Sequence, residues 1–174
     1  MQPAVIIIDG PIAQPDRATG FGPVGWGFES PWAHMQYKKS GATFVILLNK
    51  GDGIIEKLTE FCTKEKIKAG HFSGIGGVGR AEVAYFSPQD RQYHAKVFDR
   101  PPMEVLSLKG NVSLSEGKIK IHAHMLFSDS SFSVFGGHLN EARVWPMCEI
   151  IFVPLKAKLQ RKKDEETGLF MLNI

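Results

Sequence analysis

From Ala42 onward the apolar residues fall into short segments separated by turn residues, and their period changes from one segment to the next. "ATFVILLNKGD" is a continuous apolar run bounded by turn signals, which predicts a buried strand. "GDGIIEKLTEFCTKEKI" then places Ile54, Ile55, Leu58, Phe61 and Cys62 at helical spacing. Asp52 is positioned as its N-cap, and lysines from Lys64 to Lys68 crowd its C-terminal end, so a helix is predicted here. "KAGHFSGIGG" reads as a short strand ending in glycines, and "RAEVAYFSPQDRQYHAKVFD" as two strands joined by a turn at "SPQDRQ". "EVLSLKGNVSLSEGKIKIHAHMLFS" gives a strand, a turn region around "NVSLSEGK" and a further strand; "FSVFGGHL" and "WPMCEIIFVPL" give two more. One helix among seven or eight strands predicts an α+β protein: a mostly antiparallel β-sheet with one main helix packed on it, in a single compact domain.

Alternation in one strand carries the chemistry. Ile119, Ile121, Ala123, Met125 and Phe127 share one face, and Lys120, His122, His124 and Leu126 share the other. The first set is wholly apolar and is expected to face the core, so both histidines leave it on the same side. "SDSSFS" supplies the turn to the returning strand, which carries His138 after Gly136 and Gly137. Pairing about Ser131 sets His124 opposite His138; pairing about Ser130 sets His122 opposite it. Both registers bring the three imidazoles to one face, and a slip by one residue would send His138 to the other. Opposed Cβ atoms stand about 4.5–5.5 Å apart, from which imidazole nitrogens can converge on zinc at about 2.0–2.1 Å. Three ligands would leave one position open for water or substrate. Histidines two apart are also common on solvated strands, so spacing alone leaves an ordinary polar face in play. His34, His71 and His94 have no spaced partner and read as surface or core positions.

The 174 residues suffice for one domain with a real core, and the net charge of +3 permits an anionic partner without demanding one. Residues 1–36, with "GPIAQPDRATGFGPVGWGFESPW", are dense in Gly and Pro and have no period. They read as an extended arm whose Phe21, Trp26, Phe28 and Trp32 lie on a surface of this or a neighbouring subunit. Residues 37–174 form the domain. Cys62 and Cys148 sit in apolar patterns and read as buried, reduced thiols, which suits a cytoplasmic protein. No segment approaches the roughly 20 apolar residues of a membrane span, and the N-terminus lacks the basic region of a signal peptide.

"GIGGVG" (Gly74 to Gly79) matches the dinucleotide motif G-x-G-x-x-G letter for letter. That motif works because a strand enters and a helix leaves, so that a pyrophosphate meets the helix N-terminus. Here "RAEVAYF" follows and alternates like a strand. The glycines are therefore read as structural, for a sharp bend or a close approach of another segment.

"SGIGGVGRAEVAYF", "MEVLSLKGNVS", the H-x-H strand and "FGGHL", in that order, resemble the plants-and-prokaryotes-conserved (PPC) domain, and "ETGLFMLNI" resembles the end of its prokaryotic members. The resemblance covers about residues 37–174. It implies a homotrimer. It implies a metal site in which His122, His124 and His138 are the ligands, with zinc preferred and nickel, copper or iron also compatible with imidazole. Plant members carry AT-hooks and some prokaryotic members are labelled DNA-binding, but this chain has no Arg-Gly-Arg-Pro core. Its basic residues Lys156, Lys158, Arg161, Lys162 and Lys163 are followed at once by Asp164, Glu165 and Glu166, which reads as a solvated, self-paired run. The leading reading is a trimeric divalent-metal protein with an open position for a small ligand or anion. The alternatives are a DNA-associated regulator or oligomerisation module, and a metal-dependent hydrolase. A hydrolase needs a base near the metal water; Glu104 in "MEVLSLKG" is the first candidate, with Glu141 and Asp129 as others.

Overall fold

The computed structural model describes residues 35–174, so all but the last two residues of the predicted arm lie outside it. The order is β1 (Gln36–Ser40), β2 (Thr43–Asn49), α1 (Ile54–Lys64), β3 (Gly70–Ser87), β4 (Gln92–Ser115), β5 (Lys118–Ser128), β6 (Val134–Pro154), β7 (Gln160–Lys163) and β8 (Phe170–Asn173). Every pairing is antiparallel except that of β4 with β7. The α+β expectation, one helix on a mostly antiparallel sheet, is what the chain forms. The strand count agrees, but the strands are divided differently. The segments on either side of the glycines are one strand, β3; "QYHAKVFD" and "EVLSLKGNVS" are one strand, β4; and "FSVFGGHL" and "WPMCEIIFVPL" are one strand, β6.

The glycines show why β3 is continuous. A Cβ at Gly77 would stand 2.1 Å from the Trp145 carbonyl oxygen, and one at Gly76 would stand 2.4 Å from that of Met147. Only glycine lets β6 come so close, and register shifts between Gly74 and Gly76 and between Val78 and Arg80 bend the strand there. The motif therefore lies in mid-strand and is structural. The turn predicted around "NVSLSEGK" is narrower than expected. β4 runs on to Ser115, and only Glu116 and Gly117 turn, both with positive φ, as a two-residue hairpin requires.

β3 pairs with β4 and β6, and β5 also pairs with β4 and β6, so these four long strands close on themselves. The core lies under α1, where Leu58, Phe61 and Cys62 meet Phe44, Ile46, Leu48, Met125, Phe127, Ile150 and Phe152. The N-cap of α1 is Gly53, not Asp52. Asp52 instead accepts the Asn49 N–H at 2.8 Å, tightening the turn before the helix. The first free helical N–H groups are met from another strand: Glu141 on β6 accepts from Ile55 at 2.9 Å and from Glu56 at 3.1 Å.

β2 departs from the expectation of a strand buried on both sides. Phe44, Ile46 and Leu48 are buried, while Val45 is 45% exposed on the other face. Ile75, Leu106 and Ile151 are similarly open and, with Val45, line a shallow cavity of about 710 Å³ on the outer surface of the sheet. Among the described residues, no helix is long and apolar enough to cross a membrane.

Candidate metal centre

β5 keeps the predicted parity. Ile121, Ala123, Met125 and Phe127 are buried, Ile119 is partly so, His122 is half-buried and His124 is exposed. The hairpin closes about Ser131: His124 pairs with His138, and Phe127 with Phe135. His138 also pairs with Ala84 of β3, so it sits where β6 passes from one neighbour to the other. Gly136 and Gly137 make that junction possible. A Cβ at Gly136 would stand 2.4 Å from the Met125 carbonyl oxygen, and one at Gly137 would stand 2.7 Å from that of Ala84. Their role is thus to let three backbones meet.

The imidazoles converge. Ring centroids are 5.3 Å apart for His122 and His124, 5.0 Å for His122 and His138, and 5.5 Å for His124 and His138. One nitrogen from each lies within 4.8 Å of the others. Bonds of about 2.0–2.1 Å would let one cation reach all three after ring movements of under about an ångström. His138 Nδ1 is buried and has no hydrogen-bond partner among the described residues, the condition of a nitrogen able to accept a metal. Burial pushes the His122 pKa down to about 4, with Arg161, His138, His124 and Lys120 adding repulsion. His138 is lowered as well, first by burial and then by His124, Lys120 and Arg161. Rings held neutral in this way keep the lone pairs that a metal needs.

Arg161 was not legible as part of this site. It leaves the basic run on β7 and turns inward. Its Nε donates to Ser113 Oγ at 2.9 Å, Nη1 to the Phe170 carbonyl at 2.8 Å, and Nη2 to Asn111 Oδ1 at 2.9 Å. Nη2 also lies 3.3 Å from His122 Nδ1, and since arginine only donates, that nitrogen accepts. The expected pairing of Arg161 with the acidic run does not form, because Asp164 accepts from the Thr167 N–H and hydroxyl instead, turning β7 into β8. Alternating "QRKK" and "FMLN" around a Gly-containing turn was the available signal for this hairpin. Tyr93, whose ring is 4.9 Å from that of His138, is a second missed neighbour.

The predicted carboxylates are placed elsewhere. Glu104 is exposed and pairs with Ser128, four residues along β5 from His124, roughly 13 Å at strand rise. Glu141 caps α1. Asp129 accepts from the Ser131 and Ser133 N–H groups and braces the β5–β6 turn. His94 pairs with Asp90 at 2.7 Å on the surface, His71 is exposed on β3, and His34 lies outside the described residues.

One row of directly opposed residues links the site to the apolar surface. Val45 pairs with Ile151, Ile151 with Ser73, Ser73 with Lys109, Lys109 with His124, and His124 with His138. Opposed side chains share a face, so the histidines and the open apolar patch occupy the same side of the sheet.

The Plants and Prokaryotes Conserved (PCC, also written PPC) domain profile matches residues 35–156. The chain belongs to this family. It is similar in structure to a metal-containing protein from Archaeoglobus fulgidus at 34% identity, covering 81% of this chain and 99% of that one with a TM-score of 0.72. A plant- and prokaryote-conserved protein from Pyrococcus horikoshii is 30% identical, with coverages of 81% and 95% and a TM-score of 0.72. A candidate DNA-binding protein from Bacteroides thetaiotaomicron is 28% identical, with coverages of 80% and 96% and a TM-score of 0.77. No curated protein sequence matches the chain. The H-x-H and GGHL histidines of this PPC domain are thus the residues that its fold gathers.

Proposed function

We propose that this PPC-domain protein binds one divalent metal, zinc by preference, through His122, His124 and His138, with an open position that accepts a small anionic ligand. The observation that carries the reading is the convergence of three imidazoles, one of them with a buried nitrogen lacking a partner among the described residues. The metal-containing nature of the Archaeoglobus relative supports it. The metal would supply Lewis acidity at its open position. No carboxylate or thiol joins the three histidines among the described residues, which favours ligand binding over the hydrolase reading with Glu104 as base. The test is metal content after purification and zinc loading. The parent protein is expected to hold one equivalent, His124→Ala none, and His94→Ala one. Full retention by His124→Ala sinks the assignment.

The protein works, in this reading, as a cytoplasmic homotrimer. Support comes from the apolar face around Val45, Ile75, Leu106 and Ile151, which no other described residue covers and which suits a partner surface, and from two free buried cysteines. Light scattering at micromolar concentration should give three times the chain mass; a monomer refutes it. The arm of residues 1–36 would be a separate segment lying on that assembly. DNA association, suggested by the name of the Bacteroides relative, is the second reading. Without an AT-hook core, specific binding in the nanomolar range at about 150 mM salt is not expected.

A further inference from the structure

A cavity of about 750 Å³ opens beside the histidines, with His122 and His138 in its wall. Arg91, Lys120, Arg161 and Lys163 also line it, and among the described residues no Asp or Glu does. The remaining wall is largely apolar. His138, Tyr93 and Phe86 follow one another with ring centroids 4.9 and 5.3 Å apart, and Phe170 and Leu172 come from the C-terminal hairpin. Tyr93 is 45% exposed and Phe170 40%, so this wall is available to a ligand.

Arg161 makes the cavity selective. It is partly buried and forms no ion pair with a carboxylate among the described residues. A cation drawn out of water without a counter-ion favours the approach of an anion, and a dication held by the imidazoles would add charge of the same sign. Four contacts engage four of the five guanidinium N–H groups, and the 3.3 Å contact to His122 is the longest of them. An imidazole that binds a metal through either nitrogen has no lone pair left at Nδ1 for that contact. Arg161 then has two N–H groups to offer, which matches the two oxygens of a carboxylate, and the apolar wall of Phe86, Phe170 and Leu172 suits an anion with an organic body rather than inorganic phosphate.

We propose that this cavity binds a small organic carboxylate with an apolar body, the carboxylate meeting Arg161 and Lys120 beside the histidines and the body covering Tyr93, Phe86 and Phe170. The proposal narrows the anion-accepting site proposed above and rests on that reading for the added charge of the metal.

The test is isothermal titration of the full chain, zinc-loaded and metal-free, with 3-phenylpropionate, its neutral amide, acetate and inorganic phosphate. Saturable binding of 3-phenylpropionate is expected, with the amide, acetate and phosphate each weaker by about tenfold or more. Arg161→Met should weaken 3-phenylpropionate by about tenfold while zinc content holds. Should that variant unfold because the hairpin loses its anchor, Lys120→Gln and Tyr93→Ala, which leave the anchor intact, should each weaken binding by about threefold or more. Zinc bound at one equivalent without carboxylate binding overturns this proposal and leaves the metal reading standing. Carboxylate binding that depends on Lys120 in a protein that takes no zinc supports the cavity assignment and overturns the metal reading. Phosphate or acetate binding as tightly as 3-phenylpropionate overturns the role given to the apolar wall.

Discussion

Glu141 tests whether the carboxylates nearest the histidines in sequence are structural. Its side chain accepts two helical N–H groups, from Ile55 at 2.9 Å in a partly buried setting and from Glu56 at 3.1 Å in an exposed one. Replacing Glu141 by Ala removes both bonds and the negative charge at the positive end of α1. Water can replace the exposed bond but reaches the Ile55 N–H less well. Loss of a helix cap costs about 0.5–2 kcal/mol, and a partly buried donor left alone lies toward the top of that range, so about 2 kcal/mol is expected. Glu141→Gln keeps an acceptor but not the charge, and about half that loss is expected. Urea unfolding followed by circular dichroism measures it. With a slope of about 1–3 kcal/mol per molar, Glu141→Ala should lower the midpoint by roughly 1 M at unchanged slope. Protein concentration must be held fixed, since association adds to apparent stability. Zinc content should not change. A loss below about 0.5 kcal/mol, or a variant that no longer holds zinc, would refute the assignment of Glu141 to the helix.

The other predictions concern titration. In metal-free protein the His122 ring should stay neutral until pH approaches about 4, as read by NMR; titration near 6.5 would show that burial and the neighbouring cations do not act as described. Because the folded value lies below the unfolded one, the unfolded chain binds more protons beneath about 6.5, so metal-free protein should lose stability as pH falls from there toward 4, with His138 acting in the same direction. For the same reason, proton competition for metal at these two rings should begin below the ordinary imidazole range. Burial pushes both Cys62 and Cys148 up to about 12, with Glu149 assisting at Cys148. At pH 8 about one thiol in ten thousand is then ionised, so a disulfide reagent should label neither until urea unfolds the chain; rapid labelling of folded protein would contradict this.

Alternation along β5 was enough to place His122 and His124 together, because side-chain direction in a strand depends only on parity. The short turn "SDSSFS" left two sensible hairpin registers, both of which bring His138 to the same face. The helix was likewise visible, since its apolar spacing is a property of consecutive residues. The tertiary structure alone decided the rest. It chose the Ser131 register over its neighbour. It ran β3, β4 and β6 straight through glycines and turn-like residues, because backbones from distant segments approach there and a local reading sees only weak strand formers. It turned Arg161 from a solvated charge into a neighbour of His122, since the asparagine and serine that hold it lie 50 and 48 residues away. It gave Glu141 to a helix 86 residues earlier in the chain. Local patterning fixes which way a side chain points; what it meets depends on the long-range pairing of strands, which no window of sequence contains.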